Sequence, residues 1–172
     1  MTGDFDRAFA IVWRRENGGE EIATSKDPRD PGKYTRGGIA LNRHPELTRA
    51  RLDAMTKADF AGFYKARYWV PHSCDALAWP LCLVVFDGEV NAGGEGAQAL
   101  QAVLGVKADG DIGPITLAAA AKRNPLDLAL RTLVKRDEYY RTLSTFPVFG
   151  TGWLIRLFQN MYEAGSGLAP TA

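Results

Sequence analysis

The sequence has few of the residues that bind metal ions or form disulfides, with two cysteines and two histidines in 172 positions. Cys74 and Cys82 lie eight residues apart, and thiols in a cytosolic chain are more often reduced than paired. His44 and His72 are isolated, and no cysteine–histidine cluster has the ligand spacing of a metal site. We therefore expect no metal and no cofactor, and a surface or turn role for each histidine.

Excess charge of one sign is also missing, because 21 basic and 20 acidic residues leave a formal net charge of +1. No basic stripe or known motif accompanies the local basic pairs, so nucleic acid is not an expected partner. Pairs such as Lys135-Arg136 are expected to lie on solvated faces of helices.

Long apolar runs are scarce as well. Residues 76–86 form the longest run, but it contains Pro80 and is too short to cross a bilayer, so we expect no membrane insertion. Residues 1–4 lack the basic and then apolar pattern of a secretion signal. We therefore expect a chain made in the cytoplasm without a signal peptide.

What the sequence does contain is enough apolar residues, 46% of the chain, for one domain with a real core. Apolar positions recur mostly with the period of a helix, which predicts a mainly α fold. A small β-hairpin is an option in the loop at residues 17–38. The predicted helices cover residues 5–16, 45–55, 57–69, 81–90, 96–104, 114–123, 125–143 and 153–164.

Three of these helices have recognisable starts. Pro45 suits the first position of its helix. Residues 56–59, Thr-Lys-Ala-Asp, resemble a capping box with aspartate in place of glutamate. Asn124 followed by Pro125 is a cap with a first-turn proline.

Glu16 continues the apolar face of the first predicted helix. The other residues of that face are Phe5, Phe9, Val12 and Trp13. The helix should end directly afterwards, because the glycines at residues 18–19 readily adopt the left-handed conformation. Apolar surroundings and the negative end of the helix dipole both favour a protonated carboxyl, which suits a general acid. A solvated glutamate in a last helical turn is the commoner alternative.

Two other groups leave their roles open. Asp87 and Asn91 lie four apart on one side of a buried helix, where they either line a cleft or bind a neighbouring loop. An aromatic row on the helix at residues 57–69 either stacks sugars or forms core, and we expect core. The row consists of Phe60, Phe63, Tyr64 and Tyr68.

Four blocks of motif residues occur in order along the chain. The first is Glu16 with the glycines after it, then Asp30-Pro31-Gly32 and Thr35-x-x-Gly38-Ile39. The second is Tyr68-Trp69, Val85-Phe86-Asp87 and Val90-Asn91-x-Gly93. The third is Leu100-Gln101 through Leu104-Gly105-Val106, then Asp109-Gly110-x-Ile112-Gly113-Pro114. The fourth is Phe149-Gly150-x-Gly152-Trp153-Leu154-x-Arg156.

Together the blocks resemble the peptidoglycan hydrolases of glycoside hydrolase family 108, which include phage endolysins and bacterial secretion activators. The third block resembles the predicted peptidoglycan-binding segment of these enzymes. This chain departs from the family at Asn17, where a glycine is common, and at Lys33, which interrupts a glycine pair.

The resemblance implies a lysozyme-like, mainly α fold that forms one compact domain over residues 1–172. Residues 1–92 would be its catalytic part, with a helical peptidoglycan-binding part at residues 93–165 packed on it. By family analogy Glu16 is the general acid, and Asp30 and Thr35 are further catalytic candidates, with Asp27 behind them. Substrate contacts are expected from Tyr34, Asp87 and Asn91.

The implied activity is that of a muramidase, which cleaves the β-1,4 bond between N-acetylmuramic acid and N-acetylglucosamine. Peptidoglycan is thus the expected partner, and we expect a monomer. As a phage endolysin the protein would reach the cell wall through a holin or another export route. The alternatives are an inactive wall-binding protein of the same fold and a lytic transglycosylase.

Overall fold

The computed structural model describes residues 3–25 and 34–166, and it divides into two compact units at residues 67 and 68. The mainly helical class expected from the sequence is confirmed, with a small antiparallel sheet in the first unit. The organisation as one domain, with a catalytic part ending near residue 92, stays a prediction. None of the helices in the described ranges combines the length and apolar character that a bilayer span requires.

Within residues 3–25 and 34–67, the first unit contains three α-helices and a three-stranded sheet in the order β1-β2-β3. In the antiparallel hairpin of β2 and β3, Thr35 pairs with Ala40 and Arg36 with Ile39. A π-helical turn, Lys65–Trp69, continues the third helix. The elements are α1 (Asp4–Asn17), β1 (Thr24–Ser25), β2 (Thr35–Arg36), β3 (Ile39–Ala40), α2 (Arg49–Ala54) and α3 (Lys57–Tyr64).

The second unit is built around α4, a helix buried on all sides from Leu81 to Glu89. A helix that is buried on all its faces lies in the centre of a bundle, and α5, α7 and α8 all pack on α4. The helices of this unit are α4 (Leu81–Ala92), α5 (Glu95–Leu104), α6 (Pro114–Ala120), α7 (Pro125–Thr142) and α8 (Phe146–Gly165).

The backbones of α4 and α5 approach each other where both carry glycine. A Cβ built on Gly88 would lie 2.5 Å from the Cα of Gly96, which no real side chain tolerates. The two glycines therefore permit a helix contact that any larger residue would separate.

Two of the three predicted helix starts are confirmed. Thr56 and Asp59 form a capping box, in which the Asp59 carboxylate accepts from the Thr56 N–H at 2.8 Å. The Asn124 side chain accepts from the N–H groups of Leu126 and Asp127 at the start of α7. Both signals are local in sequence, which explains why the sequence alone was sufficient.

The third start was wrong, and so was the start of the last helix. Helix α2 begins at Arg49, capped by the Thr48 hydroxyl, and Pro45 lies in the preceding turn. Helix α8 begins at Phe146 and not at residue 153. Its first turn is stabilised by packing, because the Phe146 ring lies over Gly150, where a Cβ would come within 2.8 Å.

The inward face of α8 is narrow. Leu157 is buried, whereas Met161, four residues later, is 44% exposed. The residues of α8 that are buried are Gly150, Leu157, Asn160 and Ala164.

Candidate active site

Glu16 lies in the last turn of α1, half-buried, on the face that the sequence predicted. The preceding residues of that face are buried, and the Trp13 side chain is completely so. Gly18 has a φ of 68°, so the helix ends in the left-handed conformation directly after Asn17. Glu16 is therefore placed where a buried helix face reaches the surface.

The turn of the β2–β3 hairpin packs directly on Glu16. Gly37 and Gly38 form a two-residue turn with φ values of 58° and 78°, which glycine adopts without strain. A Cβ built on Gly38 would lie 2.9 Å from the Cβ of Glu16 and would also strike the Tyr64 hydroxyl. The Thr35-x-x-Gly38 motif thus brings bare backbone against the side chain of the candidate acid.

Tyr64 is a site residue whose role the sequence did not separate from the aromatic core. Its ring is buried against Phe9, with 5.6 Å between ring centroids, as expected of a core residue. Its hydroxyl, however, donates to the Gly37 carbonyl at 3.1 Å. A Cβ built on Gly38 would meet both this hydroxyl and the side chain of Glu16. The signal that could have revealed it is a tyrosine, rather than a phenylalanine, in a buried row.

Asn17, where the family commonly has glycine, holds the loop that follows α1. Its amide donates to the Trp13 carbonyl at 3.0 Å, and its side-chain oxygen accepts from the Ala23 N–H at 2.9 Å. The Trp13 indole in turn donates to the Glu20 carbonyl at 3.0 Å. The departure from glycine therefore gives the loop a fixed attachment to the helix that carries Glu16.

The loop after α1 carries another carboxylate, Glu20, whose environment differs from that of Glu16. It is exposed and lies 2.6 Å from the Lys57 ammonium and 3.5 Å from the Arg14 guanidinium. The hydrogen bond from Lys57 lowers the pKa of Glu20, with Arg14 adding to the effect. Glu20 is therefore held in its ionised form, unlike a proton donor.

The other end of the hairpin is anchored on α2. The buried Tyr34 hydroxyl donates to Asp53, and the Arg49 guanidinium lies 4.5 Å from the Tyr34 ring centroid. This hydrogen bond to the Asp53 carboxylate, together with burial, raises the pKa of Tyr34. The Arg36 guanidinium donates to the carbonyls of Leu52 and Met55 at 2.8 and 3.0 Å.

These contacts place two of the predicted site residues. Tyr34 is 7% exposed and fixes the hairpin from within. Thr35 is half-exposed on β2, two residues before the turn that touches Glu16. Asp30 and Asp27 lie outside the described residues, so their predicted roles rest on the sequence alone.

Asp87 lies in the second unit, in the middle of α4, and is completely buried. Its carboxylate accepts from Arg136 at 3.0 Å, from Arg156 at 2.9 Å and from Asn160 at 2.8 Å. The cluster joins α4 to α7 and α8. The sequence left open whether Asp87 lines a cleft or binds a neighbouring loop; its observed partners lie on two helices and not on a loop.

The position of Arg136 contradicts the expectation for the Lys135-Arg136 pair. The sequence predicted a solvated Lys135-Arg136 pair, but Arg136 is completely buried, because Asp87 offers it a charged partner inside the bundle. Its guanidinium also donates to the Tyr140 hydroxyl at 2.9 Å. Asn91 is half-buried and donates to the same hydroxyl at 2.9 Å.

A second buried carboxylate of α4, Glu89, faces α5. Its oxygens accept from the N–H groups of Gly94 and Ala97 at the start of that helix. The Nε2 of His72 lies 2.9 Å from Glu89, and its Nδ1 lies 2.9 Å from the Tyr68 carbonyl. Burial lowers the pKa of His72, but the hydrogen bond and charge of Glu89 outweigh burial and raise it overall.

No metal site accompanies these carboxylates within residues 3–25 and 34–166, where no three histidine, cysteine or acidic side chains come together as ligands would.

A solved structure shares this architecture. The chain is similar to the "Structure of Brucella abortus SagA", with 28% sequence identity, a TM-score of 0.83 and coverage of 94% of each chain. No curated protein matches the sequence. A mainly helical fold with a small antiparallel sheet beside an acid at a helix end defines a lysozyme-like protein.

Two family models match consecutive parts of the sequence. Residues 9–93 match the model described as "Glycosyl hydrolase 108", and residues 95–158 match the "Predicted Peptidoglycan domain". The chain belongs to the glycosyl hydrolase 108 family and carries this peptidoglycan domain behind the hydrolase domain. It is thus a glycoside hydrolase of the bacterial cell wall, with peptidoglycan as its substrate.

Proposed function

We propose that this cell-wall hydrolase is a muramidase, which cleaves the β-1,4 bond between N-acetylmuramic acid and N-acetylglucosamine. Glu16 is its general acid. The observation that carries the proposal is the packing of Gly38 on the Glu16 side chain. The hairpin turn packs on the stem of the acid and is itself held by the Tyr64 hydroxyl, while Glu16 remains half-buried, which supports its access to a polysaccharide.

The chemistry requires such an arrangement. Breaking a glycosidic bond needs a carboxyl group that protonates the leaving oxygen, and a second group that stabilises or attacks the cationic sugar. Thr35, on the strand leading into the turn, and Asp30 are the proposed second groups. In the retaining mechanism two carboxyl groups stand about 5–5.5 Å apart, and in the inverting mechanism about 6.5–9.5 Å apart.

Tyr34, Asp87 and Asn91 were predicted to contact the sugar. The buried contacts of Tyr34 and Asp87 support positioning roles instead, Tyr34 for the hairpin and Asp87 for the second unit. Asn91 is half-buried, and we keep it as the proposed sugar contact of the three.

The decisive experiment is Glu16→Gln, which preserves shape but cannot donate a proton. We expect the release of reducing sugar ends from purified sacculi to fall at least about a hundredfold, the usual contribution of a general acid. The control is Glu20→Gln, the same change on the exposed carboxylate four residues later, which should retain wild-type activity. Full activity in Glu16→Gln would refute the assignment.

The products of the wild type distinguish the remaining alternatives. A hydrolase releases reducing N-acetylmuramic acid ends, whereas a lytic transglycosylase leaves a 1,6-anhydro sugar that is lighter by one water. Binding of sacculi without either product would identify an inactive wall-binding protein. In the endolysin role that we propose, a holin or another export route brings the enzyme to the wall.

A further inference from the structure

Helix α8 presents an apolar stripe on the side opposite its buried face. We define the outer stripe of α8 as Val148, Thr151, Ile155, Phe158 and Tyr162. Its four large apolar members are exposed by 74%, 53%, 65% and 74% in chain order. Scattered apolar side chains are normal on a protein surface, but four on one helix face are not.

The stripe has the spacing of a helix-packing seam. Its members follow one another at intervals of three, four, three and four residues, the a/d pattern of helices that pack side by side. The two charged residues of α8, Arg156 and Glu163, lie off the seam. Arg156 turns inward to Asp87. The seam is therefore uncharged along its length and needs no oppositely charged partner.

The exposed apolar surface is large enough for one side of a specific protein interface. With Met161, which is 44% exposed, the large side chains expose fractions that correspond to roughly 600 Å² at ~200 Å² each. Specific interfaces bury about 600–1,000 Å² on each partner, and the largest apolar patch of a typical monomer is about 300–600 Å².

We propose that the outer stripe of α8 is the interface of a homodimer, in which it packs antiparallel on the same stripe of a second copy. An uncharged surface is complementary to itself, which is what a two-fold interface requires. Counted from Ile155, the stripe residues lie at nearly the same intervals towards both ends of the helix. The two-fold axis of the proposed dimer therefore runs between the two copies of Ile155. In this arrangement Val148 of each copy lies opposite Tyr162 of the other, so that a small side chain packs against a large one.

The first test is the mass of the full chain in solution. Sedimentation at about 100 µM, where an interface of this size should be populated, is expected to give twice the 18.8 kDa of one chain. Ile155→Glu should raise the dimer dissociation constant at least about a hundredfold, because the symmetry buries two carboxylates together. The matched control is Ile115→Glu on α6, where an isoleucine is 77% exposed outside the stripe.

The second test is a cross-link that reports the orientation. In Ile155→Cys the axis brings the two thiols together, so mild oxidation should convert the dimer into a disulfide-linked species. Ile115→Cys, the matched control, should not form a disulfide-linked dimer under the same oxidation. Cys74 and Cys82 do not compete, since both are buried and burial raises the pKa of the Cys74 thiol.

Three results would overturn the proposal. One is a monomer at about 100 µM, a concentration that should populate a standard interface. Another is a dimer that Ile115→Glu dissociates and Ile155→Glu does not. The third is a monomer that binds phosphatidylglycerol vesicles and loses this binding in Ile155→Glu. That result would make the stripe a membrane contact.

Discussion

Glu16 and Asp87 are two acidic residues on the inner faces of helices, and their surroundings have little in common. Glu16 stands in the last turn of α1, half-buried, with glycine backbone and a tyrosine hydroxyl beside its stem. Asp87 stands in the middle of α4, completely buried, with two guanidinium groups and an amide donating to it. Glu16 is half-buried where its helix ends, whereas the neighbours of Asp87 occupy both of its carboxylate oxygens.

The difference shows that an acid on an apolar helix face is not by itself a functional signal. What separates the two residues is where the helix ends. A carboxyl at the end of a helix can be shaped by a neighbouring loop and still meet a substrate. A carboxyl in the middle of a buried helix must be neutralised by partners, because an unpaired charge there is costly.

The largest expected effect is on the free energy of unfolding, when the acid is replaced by its amide at Asp87 and, for comparison, at Glu16. Asp87→Asn should lower the free energy of unfolding by about 3–5 kcal/mol, since it leaves the buried Arg136 without its counter-charge. Glu16→Gln should change it by less than about 0.5 kcal/mol. Urea denaturation followed by circular dichroism measures both.

The opposite pattern, with loss of activity in Asp87→Asn and loss of stability in Glu16→Gln, would contradict this distinction between the two acids. An Asp87→Asn protein as stable as wild type but without cleaving activity would place Asp87 among the sugar contacts. A strongly destabilised Glu16→Gln protein would make Glu16 part of the structural core.

A smaller effect is expected at the glycine that touches Glu16. Gly38→Ala introduces a Cβ at a φ of 78° and against both Glu16 and Tyr64. We expect a stability loss of about 1–3 kcal/mol and a fall in activity, because the turn must move off the acid. Gly19→Ala is the control, since a Cβ there meets nothing within 4 Å. Equal behaviour of the two variants would argue against close packing of the turn on Glu16.

The smallest effect concerns the second acid of α4. Glu89 raises the pKa of His72 above its ordinary value of 6.5, so folding favours the protonated imidazole. This stabilisation is fully present below about pH 6.5 and is lost as the pH rises through the higher folded-state pKa. The melting temperature should therefore decline over that window, and His72→Gln should flatten the decline. An NMR titration of His72 that gave a pKa below 6.5 would contradict this.

The features that the sequence predicted are those with local causes. The end of α1 at Gly18, the capping box at Thr56 and the cap at Asn124 each depend on residues within one helical turn. The small hairpin offered for the loop at residues 17–38 is found at its end, with β2 inside the loop and β3 directly after it, around glycines in a backbone conformation that few other residues adopt.

The features that the sequence did not predict depend on distant partners. Arg136 was expected in solvent, and nothing within its own helix indicates that Asp87, 49 residues earlier, draws it inside. The start of α8, which contains Pro147 and Gly150, was predicted to lie outside the helix. Its helix is stabilised by the Phe146 ring over Gly150. The Tyr64 hydroxyl similarly reaches a turn 27 residues away.

The cluster around Asp87 also has a consequence for the order in which the protein is made. Its donors follow Asp87 by 49, 69 and 73 residues, so the carboxylate leaves the ribosome long before the groups that neutralise it. During that interval α4 carries a charge that lacks its partners, and burying the helix is costly. The second unit can therefore close only when α8 has been synthesised, and chains that stop before Asn160 should be targets for chaperones and proteases.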